Sequence, residues 1–150
     1  MIAPQTVENN MIQQGLRALQ ELAGSTAASK GFHDDRPDSF TSADRRDLAN
    51  WQGNKLLLVV SEVVEAHDEI RSGHAADLTY YPTAEATKTA WLAGEADSAL
   101  SKPEGVPSEI ADAVIRCFDF AYTEGFSLAD IIIEKLQYNA TRERLHGKKF

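Results

Sequence analysis

Two pairs of acids set the chemistry this chain can do. The first is Glu62 and Glu65, within Ser61-Glu62-Val63-Val64-Glu65-Ala66-His67-Asp68-Glu69-Ile70. The second is Glu109 and Asp112, within Glu109-Ile110-Ala111-Asp112. In each pair the acids stand three residues apart in a helix-patterned stretch, and residues so spaced share one helix face. At ~100° per residue, Lys55, Leu58, Glu62, Glu65 and Glu69 fall in one narrow arc. Beside it lies an arc of Leu56, Val59, Val60, Val63, Val64 and Ile70. Glu109, Asp112, Arg116 and Asp119 group in the same way, flanked by Ile110, Val114, Cys117 and Phe118. The acids therefore border the expected core face of each helix. If the two helices pack side by side, four carboxylates converge at the edge of a core and repel unless protons or cations neutralise them. A hard cation with oxygen ligands suits such a cluster: Mg²⁺ first, with Mn²⁺ as its substitute. The same spacing also suits solvated acids on amphipathic helices. Glu109 and Asp112 would equally serve as first-turn acids complementing a helix dipole after Pro107-Ser108. Spacing alone leaves both readings open.

Four apolar-periodic segments must position these acids. The spacing of Ile12, Leu16, Leu19 and Ala23 predicts a first helix over about residues 6–23, ended by Gly24-Ser25. Residues 24–40 read as a loop, in which His33 beside Asp34 and Asp35 belongs to a solvated turn rather than a metal site. A second helix is expected from about Ala43 to Ser72, capped by Ser42, loosened midway by Gly53 and closed at Gly73. Residues 74–107 are weakly patterned and read as an insertion between the second and third main helices, over one end of the bundle, or equally as a mobile lid. It holds Tyr80-Tyr81-Pro82, a short helix near residues 84–92 and the stretch Ser101 to Pro107. Trp91 and the tyrosines read as sealing the insertion onto the core, with stacking on a base as the alternative. A third helix is expected from Ser108 to Glu124, stopped by Gly125. A fourth starts at Ser127, with Asp130 in a capping-box position, and continues to about His146. Its expected core side is Leu128, Ile131, Ile132 and Leu136, while Lys135, Asn139, Arg142 and His146 share another face. Nothing alternates as strands do. The expectation is an all-α, four-helix-type bundle in a single domain over 1–150, with 1–42 as N-terminal helix and loop.

Composition narrows the partners. The 150 residues, 43% hydrophobic and 25% charged, suffice for one domain with a real core. A net charge of −8 and a pI of about 4.9 exclude broad binding to a nucleic-acid polymer, which needs a basic surface. A small anionic ligand remains open if a metal mediates the contact. The one cysteine, Cys117, excludes an internal disulfide and a cysteine-based zinc site, and reads as a buried thiol. No apolar run approaches the ~20 residues of a membrane span, and the N-terminal residues lack the basic-then-apolar order of a signal peptide. The expected location is cytoplasmic.

The two acid pairs, in this order and with their flanks, resemble the MazG-like all-alpha nucleoside triphosphate pyrophosphohydrolases, which are marked by E-x-x-E on one helix and E-x-x-D on the next. Lys55-Leu56-Leu57-Leu58-Val59-Val60-Ser61-Glu62 looks like the family's approach to its first motif. Lys102-Pro103-Glu104-Gly105-Val106-Pro107-Ser108-Glu109 looks like the lead into its second in one subgroup. The stretch from Lys135 through Asn139 and Arg142 to Phe150 looks like its basic closing helix. The likeness covers about residues 43–73 and 102–150. It departs at Val64, where the family often has a small residue, and across 74–101.

The resemblance implies that Glu62, Glu65, Glu109 and Asp112 bind Mg²⁺. It implies that a (d)NTP is cleaved to (d)NMP and pyrophosphate, as in nucleotide-pool house-cleaning. It also implies assembly as a homodimer or homotetramer with sites near subunit contacts. In such chemistry the metal bridges carboxylates and phosphate oxygens and orients water. A free carboxylate oxygen of Glu62 or Glu65, or Glu69 one turn on, accepts the water's proton. Lys55, Lys135 and Arg142 meet the phosphates, Arg142 as a bidentate fork, and Asn139 meets base or ribose. Two rivals stand beside this reading. One is a non-catalytic helical oligomer or regulatory partner with the acids as surface decoration. The other is a di-iron carboxylate bundle, which needs two Glu-x-x-His pairs, whereas only Glu143 and His146 have that spacing.

Overall fold

The computed structural model describes residues 4–81 and 102–143. Trp91, the short helix expected near 84–92, and Arg144, His146 and Gly147 lie outside the described residues. Four helices organise what is described: α1 Pro4–Ser29, α2 Ser42–Arg71, α3 Val106–Thr123 and α4 Leu128–Ala140. Among the described residues there is no strand, only an isolated antiparallel bridge between Tyr80 and Glu104. The all-α expectation is met at that level.

Helix ends follow local chemistry. Thr41, not Ser42, caps α2: its Oγ1 accepts from the Asp44 N–H at 3.1 Å, and Asp44 Oδ2 accepts from the Thr41 N–H at 2.9 Å. A capping box needs an acceptor three residues past the cap. From Ser42 that position is Arg45, which only donates, so the start falls one residue earlier. At the other end, His74 N–H reaches Glu69 O at 3.1 Å and Gly73 N–H reaches Ile70 O at 3.0 Å. This paired closure is the usual Schellman ending. Ser127 caps α4 as expected, its Oγ accepting from the Asp130 N–H at 3.3 Å. The helix ends at Ala140 with Thr141 as C-cap, so Arg142 lies beyond it and not on its face. This corrects the expected run to His146.

The chain gathers into two compact units. One comprises residues 1–36 and 118–150, and in it α1 packs on α4. Gln20 Oε1 accepts from the Leu128 N–H at 3.0 Å, and Arg17 Nη2 donates to Asp130 Oδ1 at 2.7 Å. Arg17, aided by Gln13, holds the Asp130 carboxyl below its ordinary range. Ala23, Phe118, Ala121 and Ala129 are buried here. The expected core side of α4 is corrected, because Ile131 and Leu136 are exposed and Ala129 takes the interior. His33 also departs from the solvated turn expected of it. Its Nε2 lies 2.7 Å from Asp119 Oδ1 and 3.0 Å from Thr123 Oγ1, and the ring is largely covered. The partners come from far along the chain, from Asp119 and Thr123.

Gly24 does not end α1, which runs on to Ser29. The residue is buried beside Tyr122, and a Cβ there would collide with the Tyr122 side chain at Cβ, Cγ and Cδ1. It is glycine because the two chains approach too closely for anything larger, which outweighs its weak helix propensity. The second unit, residues 37–117, holds α2 and α3 up to Cys117. Its buried residues include Trp51, Ala66 and Ala113 together with Glu62, Ser108 and Glu109.

Gly24→Ala should destabilise the protein by about 1–3 kcal/mol through overpacking. Gly15→Ala, in the same helix with open space at the Cβ position, should stabilise it by about 0.5–1 kcal/mol. Thermal unfolding of both variants followed by circular dichroism checks the pair. Equal midpoints would remove the packing argument.

Candidate metal centre

A helix with an acidic arc beside an apolar arc must turn one of them inward. On α2 the buried residues are Trp51, Glu62 and Ala66, which turns the Glu62 side of the acidic arc inward while Leu58 and Glu65 stay exposed. Most of the neighbouring apolar arc is exposed: Leu56, Val60, Val63, Val64 and Ile70 are open, and Val59 is half-buried. This corrects the expectation that those residues form the core face. On α3, Glu109, Ala113 and Phe118 are buried while Ile110 and Val114 are exposed. Cys117 is half-buried, and desolvation pushes its thiol up.

With the acids turned inward, Glu62, Glu109 and Asp112 each offer a carboxylate oxygen, and these lie within 4.8 Å of one another. Glu62 is 5% exposed and Glu109 3%, with Asp112 half-buried. One guanidinium meets them: Arg116 Nε donates to Glu62 Oε1 at 2.7 Å. Glu109 Oε2 is buried with no hydrogen-bond partner. Such an oxygen is costly to bury unless something compensates it. Desolvation pushes the Glu109 carboxyl up from its ordinary 4.5 to about 7. The charge of Lys102 opposes that rise, while a hydrogen bond with Glu62 and the charges of Glu65 and Glu104 add to it. Without a cation, a proton held by Glu109 and shared towards Glu62 is the available compensation. Three hard oxygen donors around an orphaned buried oxygen fit a hard divalent cation.

The other expected residues fall around this triad. Glu65 is exposed and outside it, although its charge reaches Glu109. Both oxygens of Glu69 are engaged: Oε2 accepts from His74 Nδ1–H at 2.5 Å and Oε1 from the Tyr80 hydroxyl at 3.2 Å. Lys55 lies over the Trp51 ring at 4.7 Å. Lys135 and Arg142 belong to the other unit, where both approach the Tyr138 ring, at 5.6 and 5.9 Å. Asn139 is exposed on the last turn of α4.

Sequence reasoning missed the neck that flanks the triad. Tyr80 N–H donates to Glu104 O at 3.1 Å and Glu104 N–H to Tyr80 O at 2.9 Å. The His74 and Tyr80 rings meet edge to face with centroids 5.1 Å apart. Gly105, at φ +102, passes so close to the Leu78 carbonyl oxygen that a Cβ would strike it. Ser108 Oγ donates to Pro103 O at 2.8 Å and ties the neck to the start of α3. Lys102 pairs with Glu104 at 3.2 Å, and Glu109 and Asp112 also raise its pKa, so its charge is felt at the triad. The readable signal was the stretch Lys102 to Glu109. The pairing of Tyr80 with Glu104 is invisible to helix periodicity.

The shift of Glu109 sets a pH dependence. Its folded-state pKa is raised, so its contribution to stability is fully present below about 4.5 and lost as pH rises to about 7. In chelator, the melting temperature of the parent relative to Glu109→Gln should therefore fall across that window, because the amide stays neutral throughout. A difference that stays constant with pH means that Glu109 is ionised in the folded protein without penalty.

No family model, no curated protein and no solved structure matches the chain.

Proposed function

We propose that the chain is a Mg²⁺-dependent nucleoside triphosphate pyrophosphohydrolase, with Mn²⁺ able to substitute. The observation that carries this is the buried triad of Glu62, Glu109 and Asp112 with an orphaned carboxylate oxygen inside it. The ordered motifs around it, similar to those of the MazG-like enzymes, point to the substrate. Glu62, Glu109 and Asp112 hold the cation. A cation held there would supply Lewis-acid polarisation of phosphate oxygens and a lowered pKa for bound water. Glu65, which is exposed, would take the proton from the attacking water as the water oxygen bonds to the α-phosphorus. The bond to the bridging oxygen breaks, and pyrophosphate leaves with the electron pair. Glu69 holds the neck through His74 and Tyr80.

A panel of triphosphates incubated with Mg²⁺, with product analysis for monophosphate and pyrophosphate, tests the activity. Glu62→Gln and Asp112→Asn should each abolish turnover, and Asp112→Asn should do so without lowering the melting temperature in chelator, since like-charge repulsion is relieved. Full Mg²⁺-dependent turnover in Glu62→Gln or Asp112→Asn overturns the site. No divalent-dependent hydrolysis of any triphosphate leaves the non-catalytic helical oligomer as the better reading.

Self-association belongs to the same proposal. The outward face of α2 is apolar along Leu56, Leu57, Val60, Val63 and Val64, with a shallow groove beside Ala49 and Gly53. An apolar row of this length is unusual on a surface left in water. Light scattering coupled to size exclusion should give a homodimer or homotetramer, and Leu57→Lys with Val60→Lys should dissociate it. A monomeric parent refutes assembly.

A further inference from the structure

We propose that Arg116 is an exchangeable counter-ion of the acidic centre. It neutralises Glu62 when no divalent cation is held, and turns to a phosphate oxygen of the incoming ligand when one is. The inference rests on the metal reading above and assigns a role to a residue that this reading leaves unused.

Glu62 has only 6% of its side chain exposed, and its Oε1 is occupied by Arg116 Nε at 2.7 Å. That pairing makes the buried carboxylate tolerable, since an unpaired charge at this depth is strongly unfavourable. A divalent cation bound by Glu62, Glu109 and Asp112 provides the same compensation. Once it does, the guanidinium is both superfluous and repelled, because two cations then contend for one carboxylate. Arg116 has somewhere to go. Its side chain is 41% exposed, so its head lies at the solvent margin of the centre. Among the described residues only its Nε hydrogen bond is recorded, to Glu62. A guanidinium carries five donors in a planar fork that matches phosphate oxygens in pairs. An arginine that simply locked α2 to α3 would lose by leaving Glu62. This one gains a partner if the ligand that accompanies the cation is a phosphate anhydride. Nearby Lys102 is already paired with Glu104 and does not duplicate the role.

Calorimetric titration of the full chain separates the possibilities. Mn²⁺ alone is titrated into the parent and Arg116→Met. Inorganic pyrophosphate is then titrated into each protein with Mn²⁺ in excess over pyrophosphate. Exchange predicts opposite shifts in Arg116→Met: Mn²⁺ binds roughly tenfold tighter without its competitor, and pyrophosphate roughly tenfold weaker without its fork. Arg116→Lys, which keeps the charge and loses the fork, should move both constants in the same directions by less. It carries the test if the methionine variant does not fold without metal. Unchanged or weaker Mn²⁺ binding in the variants overturns the exchange, as does unchanged pyrophosphate binding. A parent that binds no Mn²⁺ overturns the metal reading itself, and the exchange with it.

Discussion

Glu62 and Glu109 are among the least exposed residues of their unit, and burying a carboxylate costs several kcal/mol unless a cation, a proton or well-placed donors answer it. The architecture around them answers only in part. Arg116 takes one oxygen of Glu62. Lys102 acts on Glu109 at a distance, while one Glu109 oxygen has no donor at all. A fold that maximised stability would place apolar side chains at both positions, since buried ion pairs replaced by well-packed hydrophobes are often no worse. Carboxylates left under-compensated in the interior are the arrangement that an added cation relieves. Perturbed groups of this kind cluster at functional sites.

The same constraint explains the orientation of α2. Turning Glu62 inward leaves Leu56, Leu57, Val60, Val63 and Val64 outside. No large side chain among the described residues is fully buried, and much of the buried apolar set is alanine. The hydrophobic driving force available to this chain is therefore only partly used among the described residues, and the exposed row on α2 is the unused part. The buried Glu62 and the exposed apolar row lie on adjacent arcs of one helix. A substitution on one arc acts close to the other.

The neck at 74–81 and 102–105 adds precision at little structural expense. One antiparallel bridge, one close glycine and the Glu69–His74–Tyr80 hydrogen bonds join the end of α2 to the start of α3. The two helix segments that carry the triad are thereby linked through backbone as well as side chains. Desolvation, then the charge of Glu69, raises the pKa of the Tyr80 hydroxyl and keeps it a donor to that glutamate.

What the sequence determined by itself is the local part. The four helices, the closure of α2 at Gly73, the Ser127 cap of α4, and the presence of acids three apart on α2 and α3 follow from periodicity and capping chemistry, which act within a few residues. Even there, competition between neighbouring hydroxyls moved the α2 cap from Ser42 to Thr41, because only Thr41 has an acid to reciprocate. The tertiary structure decided what depends on residues far apart. It set which arc of α2 faces inward, since adjacent acidic and apolar arcs leave that choice to packing. It gave Arg116 to Glu62 and Asp119 to His33 across long stretches of chain. It drew Glu62, Glu109 and Asp112 into one cluster while leaving Glu65 exposed. An i,i+3 pair shares a face only to within most of a turn, and the facing helix accommodates one member of the first pair and not the other.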